Sequence, residues 1–301
     1  MISIAMATYN GAKYIREQMN SILMQTIQDF ELVICDDCSG DNTVTILQEY
    51  ADNDSRIRLF KNDVNIGFKK NFEKVIRMTH GDYIALCDQD DIWFPDHLEV
   101  LFNSLGADVS LVCGNSSLIN SNGQELGLSL SKTESYDRIE ETDCTNIAYT
   151  LLFWRNPFQG AAMMMRRDFI NYALPIPEIV SYHDVWLSSL ACFCGGMKYV
   201  NEPVNKYRQH ENNTSGGKIV RIKKFRTYLE HIRRPCLSYR LPMTEEIIRR
   251  STNLCIEKRK LLTLAVKYHR RRQHLRGRLL NALFELIHYR LIYSCRGLAV
   301  F

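Results

Sequence analysis

The sequence predicts an α/β protein with a mostly parallel central sheet, helices on both of its faces, and a basic helical C-terminal extension. Three observations carry this. Short β-rich runs alternate with segments of helical spacing through the first 115 residues. Those runs are apolar almost without a break, the pattern of strands buried on both faces. The charge is split along the chain: residues 1–200 hold 15 Lys+Arg against 27 Asp+Glu, and residues 201–301 hold 23 against 7.

The elements follow in order. ISIAMAT (2–8), ELVICDD (31–37), RIRLF (56–60), DYIALCD (82–88) and VSLVCG (109–114) read as strands. Between them, 12–25, 41–52 and 67–79 space their apolar residues as helices do, and Gly40-Asp41 and Asn65-Ile66-Gly67 sit where helices begin. LINSNGQEL (118–126) reads as a hairpin turning at Asn122-Gly123, followed by a polar stretch to about residue 143. Residues 159–165 read as a strand, 183–194 as a helix and 197–209 as a strand broken by a proline. From about residue 218 the chain is basic and helical, so it divides into residues 1–215 and 216–301.

Composition narrows the function classes. At 301 residues and 46% hydrophobic, the chain can bury a sizeable core. No apolar run is long enough to cross a membrane, and the start MISIAMATYNG lacks a signal-peptide pattern. Ten cysteines without framework spacing imply reduced thiols and a cytoplasmic protein. Cys35 and Cys38 form a CxxC with no second pair at zinc spacing, so they read as strand and loop cysteines. The basic tail carries no nucleic-acid motif. Its clusters RIKKFR, HIRRP and HRRRQHLRGR beside the apolar LLNALFELIHYRLIY fit two accounts equally. One is an amphipathic element on an anionic membrane surface, which would place the protein on the inner face of the cytoplasmic membrane. The other is packing against the rest of the chain or a second subunit of a homo-oligomer.

In a parallel sheet, ligands bind beyond the carboxyl ends of the strands. Thr8-Tyr9-Asn10, Asp36-Asp37 and Asp88-Gln89-Asp90 each follow a strand and open on one edge, predicting a single crevice. In ALCDQDDIW, Asp88, Asp90 and Asp91 crowd three like charges into four positions, which a bound cation would relieve. Carboxylates without clustered Cys or His favour Mg²⁺ or Mn²⁺, and Asp88 and Asp90 share one side of an extended chain. A solvated acidic turn is the plainer reading. In CDDCSGDNT, Ser39 or Asp41 caps a helix, while Asp36 can accept a hydrogen bond from a pyrimidine base.

TYNGAKYIREQMNSILMQT, CDDCSGDNT, NIGFKKNF and DQDDIW, in that order, resemble glycosyltransferase family 2, inverting enzymes with the GT-A fold, over roughly residues 1–215. DQDDIW, HDVW (183–186) and YRQHENNTSG (207–216) are similar to its rhamnosyltransferase-like members, which transfer L-rhamnose from dTDP-L-rhamnose in bacterial surface polysaccharide synthesis. The resemblance implies that Thr8, Tyr9, Asn10, Asn65, Gly67, Asn71 and Gln89 line the nucleotide-sugar site, with Asp36 on the base. It implies a DxD motif in which Asp88 lies nearer the ribose and Asp90 on the metal, with His210 completing the metal site. Asp184 matches the general base. The family commonly has Glu-Asp where this chain has His183-Asp184, and His183 and Trp186 become candidates for the acceptor side. For Asp184, an N-cap role is compatible with catalysis. Lys69 or Lys70 sits either against a phosphate or in solvent, and Trp93 either stacks on a sugar or packs in the core. The function so implied is a metal-dependent inverting glycosyltransferase acting on a saccharide or lipid-linked saccharide. The alternatives are a UDP-hexose donor, or a non-catalytic nucleotide-sugar-binding scaffold of an assembly complex.

Overall fold

Ile2–Thr8 forms β1, Phe30–Asp36 β2, Ile57–Lys61 β3 and Tyr83–Cys87 β4, connected by helices α1 (Ile15–Leu23), α2 (Thr43–Asn53) and α3 (Phe68–Met78). The structure, a computed structural model, describes residues 1–134, 144–154, 156–211, 213, 239–251 and 254–274. The four strands run parallel in the order β3-β2-β1-β4. Every residue of β2, and all but one of β1, is buried. Burial of consecutive residues requires cover on both faces, which is why the runs are unbroken in apolar character. The chain places β2 and β3 on one side of β1 and then returns to place β4 on the other. That reversal opens a crevice at the carboxyl ends of β1 and β4.

Beyond β4 the order is β5 (Ile92–Trp93), α4 (His97–Ser104), β6 (Leu111–Asn120), β7 (Glu125–Ser129), α5 (Leu130–Glu134) and α6 (Cys144–Tyr149). A π-helical turn (Thr150–Trp154) and a 3-10 turn (Gly160–Ala162) lead into β8 (Met163–Arg166), α7 (Ile170–Ala173), α8 (His183–Ala191) and β9 (Met197–Gln209). Among the described residues the sheet has nine strands in the order β3-β2-β1-β4-β8-β6-β9-β5, with β7 paired to β6. It is parallel over fewer pairs than the sequence implies. β8 runs antiparallel to both β4 and β6, β7 to β6 and β5 to β9, while β6 and β9 are parallel. The expected proline break in β9 is a bulge: the pairing with β6 shifts register around Asn115 and Pro203 and then resumes to Gln209. A bulge leaves the proline nitrogen without a ladder bond to lose.

After β9 the described residues form two more helices, α9 (Arg240–Arg250) and α10 (Ile256–His274). Met243, Ile247, Leu261, Leu262, Ala265 and Tyr268 are buried in the same core as the sheet. Arg240 Nη1 and His269 Nε2 both reach Leu152 O, at 2.9 and 3.0 Å, and the Arg250 guanidinium lies 4.9 Å over the Trp186 ring. Packing against the rest of the chain thus accounts for the buried faces of α9 and α10. RIKKFR, HIRRP, LLNALFELIHYRLIY and the end of HRRRQHLRGR lie outside the described residues. No helix among the described residues is long and apolar enough to cross a membrane.

Candidate active site

The rim of the crevice is built by short loops tied to each other. Asn10 takes a left-handed backbone (φ 49°), its N–H donates to Ser39 Oγ (2.8 Å), and its Oδ1 accepts from Gly40 N (2.9 Å). Gln89 binds Tyr9 twice, accepting from its N–H (2.8 Å) and donating to its carbonyl (2.9 Å). The Asp37 carboxylate accepts from Ile66 N and Gly67 N, both at 2.8 Å, and holds the turn that opens α3. Gly67 there has φ 84° and ψ 148°, a conformation essentially reserved for glycine. Asn65 closes the same turn, donating to Asp37 O (3.2 Å) and accepting from Gly67 N (3.1 Å).

Several residues expected at the nucleotide support this rim from beneath. Asp36 is fully buried, accepting from Ser39 N (2.8 Å), Ser39 Oγ (2.5 Å) and Thr8 Oγ1 (3.0 Å), so it offers no surface to a base. Asn71 is also buried, donating to Cys35 O (2.7 Å) and accepting from Asn62 (3.0 Å). These two are corrections to the expected contacts: the side chains lie below the sheet edge, where an unpaired polar group would be costly. Tyr9 stays half-exposed at the mouth. Asp41 accepts from Thr43 N (3.0 Å), at the start of α2, and from Ala12 N (3.1 Å), but the N-cap position is Asn42, without a side-chain capping bond.

The three carboxylates after β4 take three different environments. Asp91 has no exposed surface and accepts from Arg208 N (3.1 Å), Asn205 Nδ2 (3.0 Å) and Gln159 Nε2 (3.3 Å). It anchors β9 to the loop. Asp90 accepts from His210 Nε2 at 2.7 Å. Asp88 is half-buried, and no hydrogen-bond donor among the described residues reaches its carboxylate. Burial, then the neighbouring Asp90 and Asp184, push it up to about 8. Asp184, 96 positions further on, therefore lies within electrostatic reach of Asp88.

Asp184 sits in the first turn of α8 rather than at its N-cap, which is Tyr182. It accepts from Val185 N (2.6 Å) and hydrogen-bonds with the Asn156 side chain, yet burial still raises it to about 7. His183 is buried, stacks on Phe72 (centroids 4.1 Å), and has both ring nitrogens without a partner among the described residues. Burial holds it neutral, down to about 3. Gly160 passes beneath it so closely that a Cβ would lie 2.6 Å from His183 Nε2. Trp186 is not an acceptor residue. It is fully buried and donates Nε1–H to Ala173 O (2.7 Å), because it occupies the inward face of α8. Trp93 is likewise core, stacked on His97 at 3.8 Å. Lys69 donates to the loop before α8, while Lys70 stands in solvent with its Nζ 3.5 Å from the likewise exposed Glu178 carboxylate.

Arg208 is a member of the site that the motifs did not single out. Its guanidinium is buried, donating Nε–H to Asp90 O (2.8 Å) and Nη2–H to Glu17 (2.7 Å), with the Tyr14 ring at 4.6 Å. Tyr14 lies 5.0 Å from the His210 ring. A permanent cation thus backs the acidic loop and fixes the partner of Asp90. Asn156 and Gln159 were missed too. Their only signal was the Asn-Pro turn in NPFQG, which says nothing of the carboxylates they meet.

Does this donor set fit a divalent cation? Carboxylate oxygens suit Mg²⁺ or Mn²⁺, and Asp88, desolvated beside Asp90 without a donor, is the kind of group a cation would stabilise. Among the described residues no three His, Cys, Asp or Glu side chains enclose a metal position. The fit is therefore to an open site, where one or two carboxylates share the ion with substrate phosphates. Asp90 and Asp88 would hold it. His210 has Nε2 committed to Asp90, so here it is the partner of a ligand.

Residues 3–173 match the family model described as Glycosyl transferase family 2. The chain is 29% identical over 232 residues to the dTDP-rhamnosyl transferase RfbG of Shigella flexneri, covering 73% of this chain and 77% of that one. It is 28% identical over 232 residues to the Escherichia coli UDP-Glc:alpha-D-GlcNAc-diphosphoundecaprenol beta-1,3-glucosyltransferase WfgD, covering 74% and 83%. A 113-residue stretch, 38% of the chain, is 40% identical to E. coli chondroitin synthase, of which the chain spans 16%. Among solved structures, S. aureus TarS 1–349 in complex with UDP superposes with a TM-score of 0.60 at 18% identity, covering 89% of this chain and 71% of that one. The mannosyltransferase PcManGT from Pyrobaculum calidifontis, in complex with GDP-Man and Mn²⁺, gives 0.59 at 17%, covering 100% and 76%. These structures establish the GT-A fold. With the family match running through the strands that build the crevice, the chain belongs to glycosyl transferase family 2 and is a glycosyltransferase.

Proposed function

We propose that the chain is a metal-dependent inverting enzyme that moves L-rhamnose from dTDP-L-rhamnose onto a saccharide acceptor in bacterial surface polysaccharide synthesis. The catalytic body is residues 1–215, with 216–301 a basic helical region. The observation that carries the reading is Asp184 in the first turn of α8, within electrostatic reach of Asp88 and raised by burial to about 7. A general base works best when its pKa lies near the operating pH. Of the four carboxylates, Asp91 is fully engaged and Asp90 is paired with His210, which leaves Asp184 for the acceptor and Asp88 for the donor side.

In the proposed reaction Asp184 takes the proton of an acceptor hydroxyl as its oxygen attacks the anomeric carbon. The bond from that carbon to the diphosphate oxygen breaks, its electron pair leaving with the nucleotide. One displacement inverts the configuration, and no bond forms to the enzyme. Asp90 and Asp88 would hold a divalent cation, which when bound offsets the charge gathering on the leaving diphosphate. Arg208 and His210 keep Asp90 in place, and the Tyr9–Gln89 pairing ties the two loops across which the donor would lie.

The rhamnose donor rests on DQDDIW, HDVW and YRQHENNTSG and is favoured by the RfbG likeness. WfgD, similar to nearly the same degree, makes a UDP-hexose the second reading. The test is a donor screen: purified protein, lipid-linked saccharides extracted from the producing cells, and radiolabelled dTDP-L-rhamnose or UDP-hexoses with Mn²⁺, Mg²⁺ or EDTA. Label transfer from dTDP-L-rhamnose, lost in EDTA, is expected. Transfer from a UDP-hexose alone would replace the donor, and full transfer in EDTA would remove the metal.

Peripheral attachment to the cytoplasmic membrane face is part of the same proposal. On α10, Ile256 and Leu264 are exposed beside Arg259, Lys260 and Lys267. Co-sedimentation with liposomes is expected to require acidic lipid and to weaken as salt rises. Equal recovery with neutral and acidic vesicles would leave packing within or between chains as the role of the tail.

A further inference from the structure

Lys69 stands on α3, in the segment NIGFKKNF, and its ammonium donates to three backbone carbonyls of one loop: Pro177 O (3.3 Å), Glu178 O (2.8 Å) and Val180 O (2.8 Å). An ammonium has three N–H donors and no acceptor, so its whole hydrogen-bonding capacity goes to this loop. The converse matters more. Three carbonyl oxygens converging on one point repel each other unless a cation lies between them. The loop turns Val180 into the core and Ile179 and Tyr182 toward solvent.

Other groups on α3 grip the same segment. Glu73 Oε2 accepts from Ile176 N at 2.8 Å, and Lys70 Nζ lies 3.5 Å from Glu178 Oε1. The Phe68 ring lies 5.8 Å from that of Tyr182, and Phe72 stacks on His183. Asp184 is the next residue. The first turn of α3, meanwhile, is the Asn65–Gly67 rim held by Asp37. One helix therefore touches the donor rim at its start and the approach to the proposed base along its side.

We propose that Lys69 is a positioning residue for glycosyl transfer: by gathering the 177–180 backbone against α3, it fixes where α8 begins and so where Asp184 stands relative to Asp88. This rests on the reading of Asp184 as the base. Binding of the nucleotide is set by other groups. The lysine acts through the loop, not by touching substrate.

The experiment compares the full chain with Lys69→Met, Lys69→Arg and Asp184→Asn. Three readouts are taken: kcat in the radiolabel transfer assay, dTDP binding with Mn²⁺ by calorimetry, and amide hydrogen exchange by mass spectrometry. Lys69→Met removes the cation but keeps the stem. It is expected to lower kcat at least tenfold, leave the dTDP Kd within twofold, and speed exchange within residues 174–184 only. Lys69→Arg keeps the charge but cannot bring three N–H groups to one point, so its kcat should fall between the two. Wild-type kcat in Lys69→Met would overturn the proposal. So would weaker dTDP binding with unchanged loop exchange, which would put Lys69 on the diphosphate. Faster exchange throughout the domain would also overturn it, reducing Lys69 to a general stability role. If Asp184→Asn transfers at the wild-type rate, the base assignment fails separately, and the exchange data still decide whether Lys69 holds the loop.

Discussion

Asp90→Asn is expected to abolish the dependence of nucleotide binding on a divalent cation. The substitution keeps size and still offers an oxygen to His210 Nε2, now 2.7 Å away, so the loop geometry has no reason to change. What is lost is one of the negative charges that oppose the cation. Replacing a group that merely supports a metal ligand costs about 10–100-fold in metal affinity, so loss of a ligand charge should exceed about 100-fold. Calorimetry of dTDP with and without Mn²⁺ checks this. The native chain should bind dTDP more tightly with Mn²⁺, and the variant equally in both. An undiminished Mn²⁺ effect in the variant would remove Asp90 from the cation site. Asp88 sharpens the comparison, because burial and its acidic neighbours hold its proton up to about 8. Cation binding must displace that proton, so in the native chain the Mn²⁺ effect should strengthen as pH rises toward 8.

The parallel half of the fold was legible because its signals are local. ISIAMAT and ELVICDD are apolar without a break, and the observed β1 and β2 fall within one residue of the expected spans. The Asn122-Gly123 turn was equally plain, with Gly123 at φ 80°. Strand direction is not written in periodicity. MMMR in β8 is as apolar as a parallel strand, yet it enters the sheet antiparallel between β4 and β6, and only the preceding chain path decides that. Pro203 misled for a related reason. A proline signals a break only if its nitrogen faces the ladder, and a bulge removes that condition.

The site was legible in outline and misassigned in layers. Asp90 and Asp184 come within electrostatic reach of Asp88 at the end of β4. Type and spacing alone could not separate side chains that face the crevice from those that hold it up. Asp36 and Asn71 each have a partner 28 to 36 positions away in the chain, Thr8 and the Cys35 carbonyl, bonds no local reading predicts. Asp91 looked like a third member of a cation motif, but its partners lie on β9 and in the 156–162 segment. Arg208 was hidden by the opposite bias. An arginine is read as surface charge, whereas this one is buried where the acidic loop needs a permanent counter-charge.

Asp184→Asn is expected to lower turnover by about two to four orders of magnitude while dTDP binding survives, the range typical of losing a general base. Asparagine retains the oxygen that accepts from Val185 N, so the first turn of α8 keeps its hydrogen bond. It cannot accept a proton. In the native chain the base is competent only when ionised, and burial raises the group to about 7. Turnover should therefore climb with pH through about 7 and flatten above it, and in the variant that limb should vanish. Stability gives an independent reading with a definite sign. A carboxyl whose pKa is raised on folding destabilises the folded state increasingly as pH climbs from its unfolded value of about 4 to its folded value. Asp184→Asn removes that burden, so its melting temperature should match the native chain near pH 4 and exceed it at pH 8. Full turnover in the variant would move the base elsewhere. His183 would be a poor heir, since burial holds it neutral down to about 3 and Gly160 and Phe72 pack against its ring. Loss of dTDP binding would instead make Asp184 a group that shapes the pocket. A variant both inactive and more stable at pH 8 is the outcome of a charge kept for chemistry at the expense of the fold.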